Sequence, residues 1–141
     1  MATAQFLNVD LDLHDRSGVD SLVAAFEPKL VVLHKEETFV SLELATGTTP
    51  PLDEVLNGIA DVVEALPRQA RTLWDRCQRR TMNLGFEAGD THSSRGFLIP
   101  APTLTRLVSV GAELEVTIYA PSHGRRRSGE RTSRRTKRSR R

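Results

Sequence analysis

The sequence predicts an α+β domain over residues 1–121: a single mixed, largely antiparallel sheet of about six strands with helices mainly on one face. Three observations predict it. Phe6 to Asp15 and Leu114 to Tyr119 alternate apolar and polar residues with the period of half-buried strands. Leu52, Val55, Leu56, Ile59, Val62, Val63 and Leu66 recur at the three-and-four spacing of one helical stripe. Beyond Pro121 the composition changes abruptly, and residues 122–141 form an arginine-rich tail.

The elements follow in order. Leu7, Val9, Leu11 and Leu13 alternate with Asn8, Asp10, Asp12 and His14, which gives the first strand. Ser17 and Asp20 are candidate caps for a short helix carrying Leu22, Val23 and Phe26, which Pro28 limits to about two turns. Leu30–Leu33 and Phe39–Leu44 read as two strands joined by a turn at His34–Glu37. Pro50-Pro51 leads into the Leu52–Leu66 helix. Pro67 either kinks it or starts a second helix, along which Ala70, Leu73, Trp74 and Cys77 continue the apolar stripe.

Arg68, Arg71, Arg76, Arg79 and Arg80 flank that stripe, and the last three suit a helix C-terminus. Met82, Leu84 and Phe86 alternate with Asn83, Gly85 and Glu87 as a further strand, and Phe97–Ile99 reads as a short one that Pro100 and Pro102 prevent from extending. Leu104, Leu107 and Val108 form a short helix ended by Gly111, and Leu114, Val116 and Ile118 make the last strand. The order is β-α-β-β-α-β-β-α-β. Its first six elements match the ferredoxin-like order, which hosts many unrelated functions. The first or last strand, left at an edge, would offer a surface for a second copy, but no residue specifies an oligomeric state.

Charge is divided, not mixed. Residues 1–123 hold 10 Lys and Arg against 17 Asp and Glu, a net charge of −7, whereas residues 124–141 hold 10 against 1, a net charge of +9. The whole-chain value of +2 therefore describes neither part. The N-terminus has no basic region followed by an apolar run, no stretch approaches the roughly 20 apolar residues of a membrane span, and the single cysteine has no internal partner. A cytoplasmic location is expected, with no membrane association.

Candidate chemistry is sparse. Asp10, Asp12 and His14 share one face of the first strand at about 7 Å spacing, and oxygen and nitrogen donors in that pattern are metal-compatible. One strand at this rise rarely supplies adjacent ligands alone, and no second ligand cluster follows, so neither a metal nor any other cofactor is expected. Cys77 lies on the inward stripe beside Trp74, where it reads as a small hydrophobe and not as a nucleophile. Trp74 reads as a core anchor. The glycines form no phosphate-binding loop, no serine has a nucleophile-elbow context, and no aromatic platform for stacking bases is evident. A non-enzymatic protein is the expectation.

Two binding surfaces remain. Asp10, Asp12, Glu43, Glu113 and Glu115 would present an acidic surface to a basic protein partner. In the tail, which has no hydrophobic residue and is expected to be disordered, Arg125, Arg126, Arg127, Arg134, Arg135, Lys137, Arg138, Arg140 and Arg141 would bind nucleic-acid phosphates by counterion release.

The segment Leu73–Gly89, with its Trp-Asp helix end and Gly-Phe-Glu strand, joined to Leu104–Tyr119, resembles small uncharacterised bacterial α+β proteins over roughly Phe6 to Pro121. Some of these look like immunity proteins, which neutralise a toxin by binding it. The resemblance implies a toxin-binding role, from which the basic tail departs.

Overall fold

The alternating run near the N-terminus becomes β1 (Gln5–His14), and the computed structural model, which describes residues 2–122, places it at the centre of a sheet. Around it lie β2 (Leu30–Lys35), β3 (Phe39–Leu44), β4 (Arg79–Glu87) and β5 (Glu113–Tyr119), in the order β2-β3-β1-β4-β5. The pairs β2–β3, β3–β1 and β1–β4 are antiparallel, while β4–β5 is parallel. The chain is thus α+β with one mixed sheet, and β3 is inserted between the co-directional β1 and β2. The tail residues proposed to bind nucleic acid lie outside the described residues.

Four helices, α1 (Asp20–Phe26), α2 (Leu52–Glu64), α3 (Arg68–Arg76) and α4 (Ala101–Ser109), cover one face. Their Phe26, Leu56, Ile59, Val63, Trp74 and Leu107 merge with Val9, Leu11, Leu13, Leu42, Met82 and Leu84 of the strands into one core. Trp74 is fully buried, edge-on to Phe26 with ring centroids 6.0 Å apart, and its Nε1 donates to the Val110 carbonyl at 2.8 Å. That bond satisfies the indole's one polar atom inside the core, so the ring's full apolar area contributes to stability.

Proline sets the helix starts. Pro51, Pro67 and Pro100 occupy the N-cap positions of α2, α3 and α4 with φ of −60°, −60° and −64°, and none of the three helices has a side-chain cap. A residue that lacks an amide proton wastes no donor there. Pro67 therefore separates two helices, one position before the first-turn site expected of it.

The structure changes several expectations. Among the described residues there are five strands, not six, because Phe97–Ile99 takes no place in the sheet. Instead the Phe97 ring packs 4.8 Å from Phe86, with the Arg95 guanidinium 4.9 Å from its own centroid, so an apolar triplet that looks like a strand covers the end of the core. The cap of α1 is Val19, fully buried, and neither Ser17 nor Asp20; Gly18, at φ +100°, turns the chain into it. On β1 the register shifts between Phe6 and Asn8, so Phe6 replaces Leu7 among the side chains packed on the core. The edge position considered for the first strand does not survive the central place of β1, whereas the last strand, β5, is an edge.

Two arginines have non-local structural work. Arg80, on the helix side of β4, donates to the carbonyls of Trp74, Asp75 and Cys77 at 2.9, 3.1 and 2.9 Å, and to that of Gly111 at 3.0 Å. It thereby satisfies the open carbonyls at the α3 C-terminus. Arg106 joins α4 to α2 through Asn57 Oδ1, Asp61 Oδ1 and Glu64 Oε1 at 2.8, 2.6 and 2.7 Å, and the Glu64 and Asp61 carboxylates hold its pKa above the ordinary arginine value.

Candidate functional site

Because side chains alternate along a strand, every residue out of phase with the core belongs to the opposite face of the sheet, which carries no helix. On β1 these are Asn8, Asp10, Asp12 and His14; on β3, Phe39, Ser41 and Glu43; on β4, Arg79, Thr81 and Asn83; on β5, Glu113, Glu115 and Thr117. The pairing arranges them in rows. Asp12 lies opposite Ser41 and Thr81, and Thr81 opposite Glu113; Asp10 lies opposite Asn83, and Asn83 opposite Glu115. Strands about 4.8 Å apart put Asp12 and Glu113 roughly 10 Å from each other.

Hydrogen bonds stitch the rows together. Ser41 Oγ donates to Asp12 Oδ1 at 2.7 Å, Asn8 Nδ2 donates to Asp10 Oδ1 at 2.9 Å and reaches Glu43 Oε1 at 3.4 Å, and Thr117 Oγ1 donates to Asn83 Oδ1 at 2.8 Å. Arg79 pairs with Glu113 at 3.1 Å. Polar groups fixed in this way hold the carboxylates on a rigid frame, since moving one breaks a neighbour's bond.

Asp10 differs from the expectation of an exposed contact residue. It is only 4% exposed, as is Asn83, with Ser41 at 6%. It lies opposite Asn83 on β4 and accepts from Asn8 Nδ2, so it belongs to the supporting network. Asp12 and Glu43 are partly exposed, and Glu113 and Glu115 are exposed. Of the five acidic residues identified in the sequence, four are therefore reachable by a partner on one face.

At one margin of this face β1 and β3 part. Their pairing ends at Leu11 opposite Leu42, and the chain from Ala45 to Pro51 passes over the gap. The result is a groove of about 280 Å³ lined by Phe6, Asn8, Glu43, Leu44, Thr48 and Val55 among others. It combines apolar walls with the Glu43 carboxylate. No sequence pattern marked it, because it follows from the register shift at Leu7 and the point at which two distant strands cease to pair.

The nucleophile and metal candidates resolve as follows. Cys77 is 4% exposed at the end of α3, and its Sγ donates to the His14 carbonyl at 3.2 Å. Burial pushes its thiol up from the ordinary value, which disfavours the reactive thiolate. The His14 ring lies tilted against Phe39, with ring centroids 4.5 Å apart. Among the described residues no group of three or more His, Cys, Asp or Glu side chains is arranged to hold a metal ion. Among them, too, no helix is long and apolar enough to cross a membrane.

Comparison of the chain with protein-family models, with curated proteins and with solved structures finds no match.

Proposed function

We propose that the chain is a non-enzymatic binding protein of the immunity or antitoxin kind, which holds a basic protein partner on the open face of its sheet. The observation that carries this reading is the gathering of Asp12, Glu43, Glu113 and Glu115 on one rigid, helix-free face by strands from distant parts of the sequence. Residues 2–122 carry 10 basic and 17 acidic side chains, so the long-range field of this part of the chain agrees in sign with its face. Such a field raises the rate of encounter with a cationic partner, and a smaller desolvated contact then holds it. The groove beside Glu43 offers that contact: its apolar walls suit the methylene stem of an arginine or lysine whose charged end meets the carboxylate.

Capture from bacterial lysate, with the wild-type chain and a Glu43→Gln/Glu113→Gln/Glu115→Gln variant compared at low and high salt, tests the reading. Basic proteins are expected on the wild type at low salt and are expected to be lost with the variant. Identical sets on both would contradict it.

A second reading rests on the nine arginines and one lysine of residues 124–141. In it, the chain binds nucleic acid through phosphates alone, and affinity falls steeply with salt for any sequence. Binding that survives deletion of those residues would sink it.

A further inference from the structure

We propose that β5 is a self-association edge, through which two copies of the chain pair antiparallel about a two-fold axis at Val116. The surface involved is the outer edge and the helix-bearing side of the sheet, so the inference does not depend on the acidic face holding a basic partner.

The apolar side of β5 is left bare. Leu114, Val116 and Ile118 point to the same side of the sheet as the core, yet they are 40%, 57% and 67% exposed. Helix α4 adds Leu104 at 41% and Val108 at 75%. Thr103 and Arg106 turn toward α2, where they bond Asp53, Asn57, Asp61 and Glu64. With about 100° per residue, Leu104 and Val108 fall on the other flank of α4, turned away from α2. Leu114, Val116 and Ile118 thus form an uncovered apolar row at the sheet edge, and α4, which leads into β5, adds two exposed apolar side chains of its own. Monomeric proteins seldom leave such a patch bare.

The two edges of the sheet differ. On β2 the register breaks between Val32 and His34 and the strand ends in Lys35, both common protections against edge pairing. On β5 the register with β4 runs unbroken from Glu113 to Tyr119, and the seven residues include no proline, lysine or arginine. This edge is open for pairing.

Self-complementarity identifies a second copy as the occupant. Antiparallel pairing centred on Val116 sets Leu114 opposite the partner's Ile118, Glu113 opposite the partner's Tyr119, and Glu115 opposite the partner's Thr117. No carboxylate then faces a carboxylate. Centring on Leu114 or Glu115 would oppose glutamate to glutamate, which is unfavourable, and Val116 is the centre at which all seven residues overlap. A two-fold axis normal to the sheet keeps both helix layers on one side. The two α4 helices then flank the joined β5 strands, with Leu104 and Val108 closing over the apolar row.

The test is the solution mass of the full chain by light scattering, at about 100 μM, where even weak complexes of small interfaces are populated, and at about 0.5 M salt, where charge-driven association is screened. A dimer of the 15.7 kDa chain is expected. Leu114→Lys/Ile118→Lys and Leu114→Glu/Ile118→Glu variants are each expected to be monomeric, with unchanged circular dichroism because both positions are exposed. Mixed one to one at about 0.05 M salt, where such pairs are little screened, they are expected to form a heterodimer, since every lysine would face a glutamate, while each variant alone stays monomeric. A monomeric wild type would overturn the proposal. So would a dimer that persists in both variants, or a mixture that stays monomeric.

Discussion

Leu11 and Asp12 are neighbours on the same strand, and they show how differently the two faces of this sheet are built. Leu11 is fully buried beneath the helices, in a core where each position is defined by size and apolar contact. Asp12, one residue on, lies on the open face and is held by the Ser41 hydroxyl. Stability therefore resides mainly on the helix side, and the charged groups suited to recognition lie on the other. That division lets the acidic face be altered without dismantling the fold.

Substitutions can break or sharpen this contrast. The largest effect is expected from Trp74→Ala on the helix side, which removes a fully buried ring together with its bond to Val110 and should cost about 3–5 kcal/mol in urea unfolding. Ser41→Ala, on the open face, takes away one hydrogen bond to Asp12 and should cost about 1–2 kcal/mol by the same measurement. If it cost as much as Trp74→Ala, the open face would be a second core and the division would fail.

A smaller effect concerns Cys77. Burial raises its pKa in the folded chain, so the unfolded chain loses the thiol proton first as pH rises past the ordinary range of about 8.5. Above that point the folded state binds more protons than the unfolded state, and stability falls with rising pH. Unfolding free energies from pH 7 to 10 should decline more for the wild type than for Cys77→Ala. Labelling by a thiol reagent should also be slow until the chain is unfolded. The smallest change in stability, within about 0.5 kcal/mol, is expected for Glu115→Gln, an exposed position whose neutralisation should instead weaken partner capture.

Much of the helix side was legible in the sequence. The stripe from Leu52 to Val63 and the alternation from Val9 to Leu13 are local periodic signals, and burial follows from them directly. Phe97 shows where such signals fail: a short apolar run reads alike as a strand or as a cover over Phe86, and only its surroundings decide. The open face was less legible for the same reason. Asp10 and Asp12 share one sequence pattern, yet one is buried and the other partly exposed, a difference set by side chains that tertiary pairing brings beside them and not by the alternation itself. Arg106 reaches residues 42 to 49 positions away, and no local pattern announces such a bridge.

The central claim, that the open face steers a basic partner to the chain, is tested most directly by the association rate of a captured partner, measured against salt for the wild type and for Glu43→Gln/Glu113→Gln/Glu115→Gln. At low salt the variant is expected to associate at least about tenfold more slowly, and the two rates are expected to converge as salt rises. Equal rates at every salt concentration would contradict the account.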